Sequence, residues 1–244
     1  MSKKKLTKQK RALRLIGVVA LKVLLIFFLL SIISVFALKW IDPFTSSIMM
    51  QRKISSIFSS DESSTIHYNW VNYDDISANA KLAMVAAEDQ NFPYHFGFDI
   101  EQIGKAINES QKGRRLRGAS TITQQVAKNL FLWNGKSFIR KGFEAYFTIL
   151  IEAFWSKRRI LEVYLNITEM GNMIFGIGAA GKKYFNRSAA KLTKEQAALI
   201  AAILPNPVKY SVTHPTKYML KRKYWILNQM KSLGGKSYLG NIIQ

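Results

Sequence analysis

The stretch AAEDQNFPYHFG, residues 86–97, carries the most information about the fold and chemistry of this chain. An apolar run with helical spacing, preceded by a potential cap at Ser77, ends there in two adjacent carboxylates, Glu88 and Asp89. A carboxylate at the end of an apolar helix is partly desolvated, which raises its pKa and improves it as a base near neutral pH. The alternative is a helix end with two solvent-exposed acids, and the local pattern does not separate the two interpretations.

A second polar cluster, RGASTITQQVAKN (residues 117–129), lies where the next helix is predicted to begin. Gly118 permits close backbone approach, and Ser120 or Thr121 can cap the helix. Three further polar side chains project from its first turns: Gln124, Gln125 and Lys128. Because the exposed N–H groups of a helix start attract anions, the pattern favours an anion site over a capped helix with a polar outer side.

A third cluster lies in the next predicted helix, residues 137–155, where Arg140 and Glu144 are four residues apart. This spacing favours an intrahelical ion pair, and only the phosphate-suited cations upstream give weight to a functional role. Apolar residues nearly encircle this helix, so we expect it to be buried. A capping box at Thr193 and a last helix over about residues 216–233 complete a mainly α fold without strand-like alternation.

Composition excludes several classes of chemistry. The 244 residues contain no cysteine, so disulfides, thiolate metal sites and a cysteine nucleophile are excluded. His67, His95 and His214 show no metal-ligand spacing, so no metal site is predicted. The net charge of +21 implies a polyanionic partner, which could be nucleic acid, anionic lipid or a phosphorylated substrate.

The N-terminal region distinguishes between these three candidate classes of partner. A basic segment (residues 1–14) precedes an apolar run (residues 15–38) that is long enough to span a membrane and too long for a cleaved signal peptide. The basic flank predicts a cytoplasmic N-terminus with the remainder outside, which argues against nucleic acid. We therefore predict one transmembrane helix, a juxtamembrane segment (residues 39–75) and a globular domain (residues 76–244).

Motifs occur in order from about residue 76 to residue 207. They are Glu88-Asp89-x-x-Phe92-x-x-His95-x-Gly97, the run from Gly118 to Gln125 with Lys128-Asn129, Arg140-Lys141-x-x-Glu144, Lys157-x-x-Ile160-Leu161-Glu162-x-Tyr164-Leu165-Asn166, and the run from Phe175 to Ala180. With them the sequence resembles the peptidoglycan glycosyltransferase family (family 51), and within it the monofunctional members of Gram-negative bacteria.

The resemblance implies a lysozyme-like glycosyltransferase domain with a membrane-dipping subdomain. It also implies polymerisation of lipid II into glycan strands by inverting transfer, with release of undecaprenyl pyrophosphate. Carried over by motif, Glu88 is the catalytic base and Glu144 lies on the glycosyl-donor side, near the departing pyrophosphate or a bound cation. The substrate-binding residues that it implies are Asp89, Ser120, Thr121, Gln124, Gln125, Lys128, Lys136, Arg140 and Lys141.

Two departures from the family pattern affect these expectations. Lys136 stands where members often carry Arg, and Gly178 stands where they often carry Glu. The chain contains no Lys-Thr-Gly or Ser-Asp-Asn motif, so we expect no transpeptidase activity.

The expected partners are lipid II, the growing glycan strand and membrane lipids. Cell-wall synthesis or division proteins are further candidate partners. No cofactor is firmly predicted, and a role for a divalent cation stays open. The expected location is the inner membrane, with one span, a cytoplasmic N-terminus and a periplasmic catalytic domain. Two alternatives stay open, a murein-cleaving enzyme of lysozyme-like fold and a non-enzymatic anchor that recruits cell-wall machinery.

Overall fold

The computed structural model describes residues 3–58, 65–111, 120–135 and 137–243, and it divides the chain into two compact units after Ile41. The first unit contains one helix, α1 (Lys3–Ala37). Within it, Leu13–Ala37 forms a 25-residue stretch of mean hydropathy 2.9, long and apolar enough to cross a bilayer. The prediction of one N-terminal apolar helix is confirmed, and this helix fits single-pass membrane anchoring.

The second unit is built from helices and one small sheet. Its helices are α2 (Ser47–Phe58), α3 (Ala78–Glu88), α4 (Ile100–Gln111), α5 (Ile122–Phe131), α6 (Phe138–Phe154), α7 (Lys157–Ile167), α8 (Gly176–Phe185), α9 (Lys194–Ile203), α10 (Lys217–Ser232) and α11 (Gly240–Ile243). The strands β1 (His67–Tyr68) and β2 (Ile174–Phe175) pair in parallel, with His67 opposite Ile174. The mainly α fold class is confirmed.

Helix α3 lies at the centre of this unit, against α9, α10 and α7. Every residue from Ala80 to Ala86 is buried, and α9 presents a buried face that is also rich in alanine. Small side chains let helix axes approach closely, which favours dense packing between the two helices. Helix α5 packs in turn against α6 and α7. The end of α3 and the start of α5 therefore lie on tightly packed elements.

The predicted helix starts are confirmed at three positions. The side chains of Ser77, Thr193 and Thr216 accept hydrogen bonds from the backbone N–H groups three residues on, at the starts of α3, α9 and α10. Each such cap contributes about 1 kcal/mol to stability. Gly234, with a φ of +89°, follows the last turn of α10, as expected for a helix that ends at a glycine.

The expected burial of α6 is wrong. Its buried side chains are confined to one face, around Glu144, Phe147 and Ile151, where it packs on α5. Two apolar residues at its N-terminus are largely exposed, Phe138 at 98% and Ile139 at 70%. An apolar exposed helix end is costly in water, and it is typical of a surface that contacts a membrane or a partner.

Several of these elements were not predicted: α2, α4, α8, α11 and the two strands. Helix α2 lies in the segment that we assigned as juxtamembrane, and its Arg52 forms an ion pair with Glu169 at 2.9 Å. The amphipathic helix α4 follows the aromatic loop. The two strands are only two residues long, too short for an alternating pattern to show in the sequence. The domain boundary at residue 76 stays a prediction.

Gly178 in α8 packs directly against the chain between Asn69 and Val71. A Cβ atom at residue 178 would lie 2.6 Å from Cγ2 of Val71 and 2.9 Å from the carbonyl oxygen of Asn69. Both distances are shorter than van der Waals contact. The glutamate that family members often carry at this position therefore has no room in this chain unless its neighbours shift.

We expect Gly178→Ala to destabilise the fold by about 1–3 kcal/mol, because the added methyl group overpacks a filled site. Thermal unfolding in detergent measures the effect. Gly104→Ala in α4 is the matched control, since a Cβ there meets nothing within 4 Å; it should leave stability unchanged or raise it by about 0.5–1 kcal/mol. Equal melting temperatures for both variants would contradict the close contact.

Candidate active site

Glu88 is the last residue of α3, and its carboxylate is held between two other helices. Nε2 of Gln125, on α5, donates to one oxygen at 2.9 Å. Nη2 of Arg222, on α10, donates to the other oxygen at 3.1 Å. The side chain keeps 17% of its surface exposed. The interpretation of residues 88 and 89 as exposed acids at a helix end is therefore wrong.

The pKa of Glu88 reflects opposing effects. Burial, the largest influence, raises its pKa above the ordinary value of 4.5, because the charged form loses water. The hydrogen bond from Gln125 and the positive charge of Arg222 lower it. A carboxylate whose pKa is raised but which keeps a cationic neighbour is suited to accept a proton near neutral pH.

Asp89 joins the first motif to the second. Its side chain is only 2% exposed, and its oxygens lie 2.9 and 3.1 Å from Nε2 of His95. The same carboxylate accepts the backbone N–H of Ile122, the first residue of α5, at 2.9 Å. Because its contacts are with the protein itself, Asp89 connects the loop after α3 to the start of α5.

The start of α5 is not the open anion site that its sequence suggested. The N–H of Ile122 is taken by Asp89, and the N–H of Gln124 is taken by the hydroxyl of Thr121. In return, the side-chain oxygen of Gln124 accepts a hydrogen bond from the N–H of Thr121, which completes a capping box. The anion at this helix start is thus the carboxylate of Asp89, a residue of the chain itself. Gly118, which was expected to allow close backbone approach, lies outside the described residues.

The turn before α4 depends on Gly97. Its φ of +77° is a conformation that glycine adopts freely, and a Cβ there would lie 2.6 Å from Cγ2 of Thr148. The hydroxyl of Thr121 donates to the carbonyl of Gly97 at 2.7 Å. Lys157 fixes the preceding residues by donating to the carbonyl of His95 at 2.6 Å and to Glu152 at 2.7 Å. The aromatic loop is therefore held at several points.

A cationic cluster lies where the last turn of α5 meets the first turns of α6. Glu144 is buried, and it accepts bonds from Arg140 at 2.6 Å and from Lys141. The predicted intrahelical pair of Arg140 and Glu144 is formed. Burial lowers the pKa of Lys128, while the charge of Glu144 opposes this shift. The ammonium group of Lys128 has no hydrogen bond or ion pair within the described ranges, and Lys136 lies outside them.

Neither Glu144 nor the cluster of Asp89, His95 and Asp99 fits a divalent cation. Both oxygens of Glu144 already face cationic side chains, and the surrounding charge is positive. Asp89, His95 and Asp99 offer atoms within 4.8 Å of one another. Asp99, however, already accepts hydrogen bonds from the N–H of Gln102 and the side chain of Asn91. Asp89 already accepts one from the N–H of Ile122. No chemical step is assigned to a metal ion.

A cavity of about 320 Å³ opens beside Glu88. Ser120 and Thr121 line it from the start of α5, and α10 contributes Trp225 and Gln229. Neither α10 residue was predicted from the sequence, and nor was Arg222, which follows Glu88 by 134 residues. No local pattern could have identified them, because their relation to Glu88 arises only when α10 packs against α3.

Comparisons with known proteins identify the family of this chain. A family model described as Transglycosylase matches residues 53–231. The "Biosynthetic peptidoglycan transglycosylase" of Cronobacter sakazakii is 51% identical over 197 residues, which are 81% of this chain and 81% of that protein. A protein with the same description from Chromohalobacter salexigens is 50% identical over 86% of this chain and 89% of its own length. Another, from Pseudomonas entomophila, is 49% identical over 86% of this chain and 88% of its own length. The chain therefore belongs to the peptidoglycan transglycosylase family, whose members are glycosyltransferase enzymes of lysozyme-like fold.

Proposed function

We propose that this enzyme polymerises lipid II into peptidoglycan glycan strands by inverting glycosyl transfer, with release of undecaprenyl pyrophosphate. The observation that supports this most directly is the position of Glu88, between the cavity and α5. Gln125, which bonds Glu88, and Lys128, which belongs to the cationic cluster, are one helical turn apart on α5. A base and a set of cations are thus available to one substrate.

In this reaction the carboxylate of Glu88 removes the proton from the 4-hydroxyl of the incoming lipid II. The hydroxyl oxygen attacks the anomeric carbon at the end of the growing strand. The bond from that carbon to the pyrophosphate oxygen breaks, and the pyrophosphate leaves with the electron pair. One displacement inverts the anomeric centre, so one base is sufficient and no covalent enzyme intermediate forms.

The cationic cluster would stabilise the leaving pyrophosphate. Lys128 has no ionic partner within the described residues, so it is available to an incoming phosphate. Arg140 and Lys141 each form an ion pair with Glu144, which fixes the direction of their side chains. The negative charge of Glu144 also offsets part of the positive charge of the cluster before substrate binds. Cations held in advance stabilise charge as it develops, without a reorganisation cost during the reaction. Ser120 and Lys136 stay proposed substrate contacts.

Several predicted substrate residues receive a different role in this proposal. Asp89, Thr121 and Gln124 act as positioning residues, because their polar atoms hold the loop and the start of α5. Gln125 and Arg222 position the carboxylate of Glu88. This division separates groups that touch substrate from groups that keep them in place.

The proposed location is the inner membrane, with the N-terminus in the cytoplasm and the catalytic unit in the periplasm. The apolar helix and its basic flank support this orientation. The exposed Phe138 and Ile139 at the start of α6 support contact between the catalytic unit and lipid. Such contact suits a substrate whose reactive sugar is attached to a membrane-embedded chain.

We expect Glu88→Gln to lower polymerisation of lipid II by about a thousandfold, because an amide cannot accept the acceptor proton. The assay measures glycan strands formed from lipid II by the purified protein in detergent. Glu195→Gln, the same change at an exposed position, is the matched control and should retain full activity. Polymerisation at the control rate by Glu88→Gln would rule out this base, and shortening of preformed strands by the wild type would support a murein-cleaving enzyme.

The pH profile tests Arg222. The charge of Arg222 lowers the pKa of Glu88, so Arg222→Gln should raise that pKa. As the pH falls, Glu88 should then become protonated, and lose its function as a base, at a higher pH than in the wild type. The acid limb of kcat/KM should therefore move upward, and Lys223→Gln should leave it in place. A lower rate with an unshifted profile would show that Arg222 acts only on the structure.

Lys128→Met tests the cationic cluster. The substitution keeps an unbranched side chain of similar length and removes its charge, so we expect kcat to fall by about a hundredfold or more with little change in melting temperature. Lys191→Met, at an exposed position, is the control. An unchanged kcat would remove Lys128 from the proposed leaving-group site.

A further inference from the structure

Tyr164, in α7, belongs to a sequence motif that the proposed reaction leaves without a role. Its side chain is fully buried, and its hydroxyl lies 3.4 Å from Oε1 of Gln125, on α5. Nε2 of the same Gln125 donates to the carboxylate of Glu88 at 2.9 Å. The three side chains therefore form a line of contacts that leads from the protein interior to the candidate base.

The rotation of α7 about its axis is fixed on the side opposite Tyr164. The carboxylate of Glu162 accepts the N–H of Tyr73 at 2.6 Å. Asn166 bonds the N–H and the carbonyl of Val71, at 2.8 and 2.9 Å. Residues two positions apart lie on nearly opposite sides of an α-helix. Tyr164 therefore projects from the other side of α7, where this helix packs against α5.

The amide of Gln125 has two ends that differ in chemistry. Nε2 can donate to a carboxylate, whereas Oε1 would repel it. The terminal torsion of a glutamine side chain is broad and roughly two-fold, so the backbone of α5 does not decide which end faces Glu88. Among the described residues, the donor to Oε1 is the hydroxyl of Tyr164. A hydroxyl at this point selects the orientation in which Nε2 faces the carboxylate.

The hydroxyl of Tyr164 remains a donor well beyond neutral pH. Burial, the largest influence, raises the pKa of Tyr164 well above the ordinary value of 10.0, and the negative charge of Glu88 raises it further. A phenol that keeps its proton can donate to Oε1 throughout the pH range in which a carboxylate changes its charge. The contact is therefore available in both protonation states of Glu88.

We propose that Tyr164 is a positioning residue for the catalytic base: its hydroxyl fixes the amide of Gln125, which in turn donates to the carboxylate of Glu88. The inference rests on the proposed function, because Glu88 is assigned as a base only in that reaction. It extends that function by placing a determinant of the base in α7, a buried helix that carries none of the proposed substrate contacts.

Glu88 is also faced by charged groups from other parts of the fold, and their effects must be separated from that of Tyr164. Arg222, on α10, bonds the second oxygen and lowers the pKa of Glu88, whereas burial and the neighbouring Asp89 raise it. The hydrogen bond from Gln125 also lowers this pKa. Loss of the Tyr164 hydroxyl should therefore raise the pKa of Glu88, and this change should require Gln125.

Tyr164→Phe tests the proposal, because it removes one oxygen and keeps the ring. Two measurements on the full-length protein in detergent follow the protonation of Glu88. One is the acid limb of kcat/KM for lipid II, and the other is an infrared titration of the protonated carboxyl band that Glu88→Gln removes. We expect both midpoints to move upward by roughly 0.5 pH unit, because a hydrogen bond of 3.4 Å is a weak one. Below the midpoint, kcat/KM should then fall by about threefold.

Gln125→Met tests the route of this effect, since it removes the amide and keeps a side chain of similar length. This variant alone should raise both midpoints, and the addition of Tyr164→Phe to it should cause no further shift. Tyr184→Phe is the matched control, because the hydroxyl of Tyr184 donates to the backbone carbonyl of Met170, at 2.9 Å. It loses a tyrosine hydrogen bond elsewhere in the fold and should leave both midpoints in place.

Unshifted midpoints in Tyr164→Phe would overturn the inference, even if its melting temperature fell. An equal shift with and without Gln125 would also overturn it, because Tyr164 would then act on Glu88 by another route. If Tyr164→Phe is unstable, Tyr164→Leu supplies a second side chain without a hydroxyl. Gln125→Met by itself must still raise the midpoints, or the inference fails.

The infrared titration separates this inference from the proposed function. A wild type that makes no strands from lipid II would refute the proposed polymerisation, while the infrared midpoints would still report the effect of Tyr164 on Glu88. An active wild type whose infrared midpoint is the same with and without the Tyr164 hydroxyl would leave the polymerase intact and refute the positioning role.

Discussion

The buried carboxylate of Asp89 is the constraint on which the candidate active site depends. A carboxylate removed from water is tolerated only when its oxygens are hydrogen-bonded, and those of Asp89 are within hydrogen-bonding distance of His95 and the N–H of Ile122. The helix dipole of α5 adds to this, since its positive end faces the carboxylate. One buried charge thereby connects the end of α3, the aromatic loop and the start of α5. Loss of any partner would leave the others misplaced.

Because Asp89 sets the relation between α3 and α5, it also sets the surroundings of the neighbouring Glu88. Gln125 lies one turn into α5 and can reach Glu88 only while the two helices keep this relation. Burial alone would make Glu88 a poor anion, and full exposure would make it a weak base. Gln125 and Arg222 keep it between these limits, in a position where it can exchange a proton.

The distribution of charge and apolar surface fits an amphiphilic substrate. Lys128, Arg140 and Glu144 form a polar cluster where α5 meets α6, whereas Phe138 and Ile139 at the start of α6 are exposed. A single helix therefore carries cations suited to phosphate beside apolar side chains suited to lipid. On the other side of Glu88, Trp225 and Gln229 line the cavity from α10 and offer an aromatic ring and an amide, which suit sugars. Each chemical part of the proposed substrate has a matching part of the protein.

The sequence by itself determined the features that depend on neighbours along the chain. The membrane-spanning length of α1, the mainly α class, the caps at Ser77 and Thr193 and the start of the last helix near Thr216 follow from local spacing, and they were predicted correctly. The motifs also identified the family and directed attention to Glu88. These properties arise from backbone hydrogen bonds and from side chains three or four residues apart, which a sequence displays directly.

Only the tertiary structure decided which groups meet across the fold. The pairing of Arg222 with Glu88 joins residues 134 positions apart, and no sequence period records it. The same holds for Asp89, which occupies the helix start that looked open to an outside anion. The exposure of Phe138 could not be read from an apolar pattern, because that pattern is the same whether the side chain meets a core, a membrane or water. Long-range packing makes these choices, since each depends on surfaces that come together only when the chain has folded.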